Sequence, residues 1–280
     1  MKRLSMLICS LLFFLLLTVN RTRGQDHQLV KVWQTDAALK VPESVLYDAV
    51  GKVLYVSNID GAPDGKDSKG SVGKVGLDGK IIKTDWVSGL NAPKGLGKFN
   101  NKIYAADIDE VVVIDIPSAK IEKHIHVPGS SFLNDISVDA NGVVYVSDTK
   151  TGTVFRIEHG NVSTYADGIQ GANGVLAIGD DLYVLGNGNL WKIAKDKKMT
   201  KVADGMDAST DGIEQVSNNE YIVSCWAGAL YYVKENGSKQ QLLDTRPQKI
   251  NSADIGYDSK SRMVYVPNFL QNSITAYELK

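Results

Sequence analysis

Six times along this chain the same pattern returns: a polar tip, an apolar strand, a turn, then a second strand rich in Tyr and Val. The copies open with PESVLYD (42–48), APKGLGKF (92–99), LNDISVD (133–139), ANGVLAIG (172–179), TDGIEQVS (210–217) and SADIGYD (252–258). Aligned on Val45, Leu96, Ile136, Val175, Ile213 and Ile255, they are spaced by 51, 40, 39, 38 and 42 residues. Four short strands per repeat of this length predict an all-β fold, a six-bladed β-propeller. No helical periodicity is long enough to compete. The sixth copy stops at Lys280 after three strands, while the segment 29–35 (LVKVWQT) precedes copy one without a partner. That N-terminal strand is expected to complete the last blade and close the ring, removing an open sheet edge.

Residues 1–24 stand apart. Lys2 and Arg3 precede an apolar run of 16 residues (4–19), and a polar stretch with Thr22 and Gly24 follows. The run is short for a membrane span and reads as a secretory signal peptide, so the expected domain is 25–280. The expected location is secreted or periplasmic, with no membrane association after cleavage. Without residues 1–24 the chain carries 27 basic and 32 acidic side chains, a net charge of −5. Nothing in this balance suggests a nucleic-acid partner. One cysteine, Cys225, is left in an apolar strand, so no disulfide contributes and the thiol is expected to be inert.

Two residues before each aligned apolar position, the repeats place Glu43, Lys94, Asn134, Asn173, Asp211 and Ala253. On a propeller these tips form a ring at one mouth of the central channel. Buried carboxylates repel one another and lose hydration, and a bound cation relieves both costs. Oxygen ligands favour Ca²⁺, then Mg²⁺ or Mn²⁺, ahead of Zn²⁺. Each dipeptide alone is an ordinary turn signal, and the shared register is what raises it above that. No Gly-x-Ser-x-Gly elbow, phosphate loop or dinucleotide fingerprint is present, and His124 and His126 lack a third ligand for zinc.

PESVLYD, LNDISVDANGVVYVSD, ANGVLAIGDDLYV and TDGIEQVSNNEYIVSCWAG resemble the gluconolactonase, regucalcin (senescence marker protein) and luciferin-regenerating-enzyme family. The resemblance implies a divalent metal held by Glu43, Asn173 and Asp211, with Asp211 also a general base. It implies a substrate or metal-bound water at Asn134. Phe132 stands where sugar-lactone hydrolases of that family often carry Arg, and Lys94 puts a cation on the ring itself. A lactone or ester more apolar than a sugar lactone is therefore the expected small-molecule partner, with Lys94, Phe132, Asn134 and Trp226 as candidate substrate contacts. The alternative is a secreted propeller that binds a ligand or protein without catalysis. A metal-independent enzyme of the strictosidine-synthase kind is a third reading. Copy one carries about ten extra residues, within 60–71, on the face of Glu43. They form either a lid or a surface loop. Trp226 and Phe269 fall in equivalent loops, where they either wall an apolar pocket or pack between blades.

Overall fold

The computed structural model describes residues 27–280; the signal peptide expected over residues 1–24 lies outside the described residues. Six four-stranded antiparallel sheets surround a central channel. Blade one holds β2 (Pro42–Asp48), β3 (Val53–Asn58), β4 (Gly70–Gly76) and β5 (Ile81–Leu90). Blade two holds β6 (Pro93–Phe99), β7 (Lys102–Asp107), β8 (Glu110–Asp115) and β9 (Lys120–His126). Blade three holds β10 (Leu133–Val138), β11 (Val144–Asp148), β12 (Thr153–Glu158) and β13 (Asn161–Ala166). Blade four holds β14 (Ala172–Ile178), β15 (Asp181–Gly186), β16 (Asn189–Ile193) and β17 (Met199–Ala203). Blade five holds β18 (Thr210–Ser217), β19 (Glu220–Cys225), β20 (Ala229–Lys234) and β21 (Lys239–Asp244).

Blade six joins the two ends of the chain. Its order is β22 (Gly256–Asp258), β23 (Met263–Pro267), β24 (Ile274–Leu279) and then β1 (Leu29–Gln34) on the outside. The expected closure by the N-terminal strand is what the fold contains. A second closure lies at the channel: Asp254 N donates to Glu43 O at 2.9 Å, and Val45 N donates to Asp254 O at 3.2 Å. The sixth inner strand is shorter than its repeat predicts. Its first residues bridge to blade one, where Ser44 and Asp254 pair in parallel, instead of continuing the ladder to β23.

The core lies between blades. One apolar cluster fills each of the six interfaces, from Leu96, Ala105 and Val112 against Tyr55 and Val72 (blades one and two) to Tyr265, Ile274 and Ala276 against Val45 and Leu54 (blades six and one). Each buried Val, Leu or Ile contributes roughly 1.5–3 kcal/mol, and among the described residues the one cysteine, Cys225, is free. Cys225 sits in the cluster between blades four and five, and burial pushes its thiol pKa up, consistent with an inert core residue.

Candidate functional site

The inner strands share one irregularity. In β2, β6, β10, β14 and β18 the ladder to the second strand slips at the same place, so that two residues oppose one. The paired residues are Glu43–Ser44, Lys94–Gly95, Asn134–Asp135, Asn173–Gly174 and Asp211–Gly212. A bulge of this kind re-aims side chains that strict alternation would send elsewhere. It also leaves backbone N–H groups without ladder partners, and serine hydroxyls on the second strands accept from three of them. Ser44 N donates to Ser57 Oγ at 2.9 Å, Asp135 N to Ser147 Oγ at 3.0 Å, and Gly212 N to Ser224 Oγ at 2.8 Å. Gly174 is required for close approach: a Cβ there would lie 2.2 Å from Asp211 O, on the next inner strand.

All seven residues singled out from the sequence line one cavity of about 360 Å³. Glu43, Lys94, Asn134, Asn173 and Asp211 supply its polar side chains, whereas Ala253 does not reach it. Val41, Ile59, Phe132, Trp226, Phe269 and Leu270 supply apolar walls, with Gly61 and Pro63 from the loop inserted in copy one. That loop therefore walls the cavity. Lys66 holds it to Asp109 at 2.7 Å and Lys150 to Asp64 at 3.6 Å. Trp226 and Phe269 meet edge to face, with centroids 5.7 Å apart. A depression of about 370 Å³ between blades two and three, lined by Phe99, Tyr104, Lys123 and His159, gathers no comparable set of buried polar groups.

Second-strand ends position the tips. Asp107 accepts from Asn91 N and Ala92 N, both at 2.7 Å, which fixes the turn into β6. Asp148 accepts from Ser131 N at 2.5 Å and Phe132 N at 2.8 Å, which sets Phe132 beside the mouth. Asn134 Nδ2 donates to Thr149 Oγ1 at 2.9 Å. Asn173 Nδ2 donates to Asp211 Oδ1 at 2.8 Å. Among the described residues that line this cavity, two buried oxygens have no hydrogen-bond partner: Glu43 Oε2 and Asn173 Oδ1.

Below the mouth lie acids that sequence reasoning missed. Asp254 Oδ2 accepts from Ser44 Oγ at 2.5 Å, and Asp135 Oδ2 accepts from Val175 N at 2.7 Å, so each carboxyl ties neighbouring blades. Glu214 lines the opposite end of the channel. Burial, followed by nearby carboxyls, holds Glu43, Asp135 and Asp211 well above the usual carboxylate range. Burial lifts Asp254 to about 6; burial and then Asp254 lift Glu214 to about 8. Among the described residues no three His, Cys, Asp or Glu form a metal-holding cluster; the candidate set is two carboxyls and a carboxamide.

Lys94 shares this cavity and is 2% exposed. Its Nζ donates to Ala92 O at 3.0 Å and sits 4.3 Å from the centroid of Phe132. It forms no ion pair with a carboxylate among the described residues.

No family profile matches the chain, and no curated protein sequence matches it. Solved structures do match in fold. A streptogramin B lyase is 10% identical with a TM-score of 0.65, covering 91% of this chain and 98% of its own. A catalytically inactive variant of virginiamycin B lyase from Staphylococcus aureus, with quinupristin, is 13% identical with a TM-score of 0.64, covering 91% and 99%. A chain of a nidogen–laminin complex is 16% identical with a TM-score of 0.63, covering 78% and 84%. The chain is similar to all three in its propeller architecture, a fold that serves enzymes and binding proteins alike.

Proposed function

We propose that this protein is an exported hydrolase of a lactone or ester that depends on a divalent cation held by Glu43, Asn173 and Asp211. The observation that carries this reading is the pair of buried, partnerless oxygens, Glu43 Oε2 and Asn173 Oδ1, in the cavity that also holds Asp211. The donor set fits a hard cation, Ca²⁺ first and Mg²⁺ or Mn²⁺ next. Zn²⁺ fits less well, because among the described residues no imidazole or thiol lines the cavity. A cation bound there supplies Lewis-acid polarisation of the substrate carbonyl.

The remaining work falls to side chains. Asp211 accepts a proton from the attacking water, and Asn134 hydrogen-bonds and orients the substrate. Phe132, Trp226 and Phe269 hold an apolar substrate body and exclude bulk water. That wall supports an apolar lactone or ester over a sugar lactone, and it extends the gluconolactonase-like reading of the motifs. Export rests on the leader-like residues 1–24. The test is turnover of a panel of aliphatic lactones and aryl esters with Ca²⁺ and with chelator. Cation-dependent turnover that is lost in Asp211→Asn is expected; no turnover across the panel overturns the reading. The second reading, a non-catalytic ligand-binding propeller, draws support from Lys94, a buried basic side chain that shares the cavity with the proposed ion site.

A further inference from the structure

We infer that Lys94 is a second chemical site in this cavity, a reactive amine that condenses with a small apolar carbonyl compound such as an aryl aldehyde. An ammonium group has three donors to satisfy. Lys94 spends one on Ala92 O and rests on the face of Phe132; among the described residues it has no ion pair with a carboxylate. A buried lysine without such a partner is inclined to be the neutral amine, the nucleophilic form. The surrounding charges are Glu43, Asp107 and Asp64, which favour the ammonium, and Lys150, which opposes it. Burial is the largest influence, and the net direction is downward. Lys150 also lies 4.9 Å from the Phe132 centroid, so two lysines flank one ring.

The cavity selects the ligand class. Phe132, Trp226 and Phe269 fit a flat apolar body. Glu43 and Asp211 disfavour a carboxylate ligand but not a neutral carbonyl. In the reaction the Nζ lone pair attacks the carbonyl carbon, the C=O π bond breaks, and the oxygen takes up the proton that the nitrogen releases. The carbinolamine then loses water as the C=N bond forms, with no oxidant or reductant consumed.

The test treats the full chain at neutral pH with benzaldehyde and cyanoborohydride, which reduces the imine to a stable secondary amine, and maps the adducts by peptide mass spectrometry. Lys94 is expected to be modified at least about tenfold faster than the exposed lysines, as a buried neutral amine should be. In Lys94→Met, checked for folding by its melting temperature, the fast adduct should vanish. Modification of Lys94 no faster than of exposed Lys83 overturns the inference, and so does modification of surface lysines alone. The adduct is read by mass, with and without Ca²⁺, so it is scored even if the chain hydrolyses nothing. Lactone turnover without the adduct removes the Lys94 inference and leaves the hydrolase reading intact.

Discussion

Asn173 Nδ2 donates to Asp211 Oδ1 across 2.8 Å, joining the inner strands of blades four and five. The bond fixes the amide so that its nitrogen faces Asp211 and its oxygen, Oδ1, is left buried without a partner. In the proposed cation site, Asp211 and this free amide oxygen are two of the three ligands. In Asp211→Asn the buried charge is gone while the shape is kept. Melting without added cation should rise, the upward shift caused by Ca²⁺ should disappear, and hydrolysis should fall to background. A variant that still melts higher in Ca²⁺, measured by differential scanning fluorimetry, would remove Asp211 from the site.

The buried acids give a signed pH dependence. An acid whose pKa is raised in the folded chain stabilises that chain fully below its unfolded value, near 4. The contribution is lost as pH rises through the folded value, about 6 for Asp254 and about 8 for Glu214. Chelated protein should therefore melt progressively lower as pH rises from about 5 to about 9, by several degrees in total. Calcium should flatten only the share of the decline that comes from Glu43 and Asp211 at the mouth. A melting temperature that rises over the same window would contradict the placement of these carboxyls.

Ser147 tests the bulge. Its hydroxyl accepts from Asp135 N, and both residues are buried. Ser147→Ala strands that N–H and should cost about 1–3 kcal/mol, read from urea denaturation. An unchanged midpoint would mean that the bulge does not depend on this serine.

Trp226 tests the apolar wall. It is 42% exposed at the rim and braced by Phe269. Trp226→Ala should raise KM for an aryl ester by roughly tenfold, about 1.4 kcal/mol of lost contact, with kcat changed far less. An equal loss for a small aliphatic lactone would argue against a specificity role.

The repeats reveal the architecture because each blade must bury both faces of its sheet, and that need writes the same short apolar strands six times. The mouth ring was legible for the same reason: Glu43, Asn134, Asn173 and Asp211 occupy one register. Asp135 and Asp254 were not read as channel residues, because strict strand alternation would place the residue after each tip on the opposite face. At Asp135 the bulge cancels that alternation, and only the ladder slip between Leu133 and Ile136 reveals it; Asp254 is placed by its parallel bridge to Ser44 of blade one. Its one sequence trace is the serine repeated in YVSN, YVSD and IVSC, whose hydroxyl role emerges from the fold. The contact of Lys94 with Phe132 joins different blades, and local pattern carries no sign of it.

The most direct measurement is a calorimetric titration of chelator-stripped protein with Ca²⁺, beside Glu43→Gln. One ion per chain is predicted for the wild type, with affinity weakened at least about a hundredfold in the variant, because its buried oxygen loses its charge. No binding by the wild type, or equal binding by both proteins, would contradict a cation held by Glu43, Asn173 and Asp211.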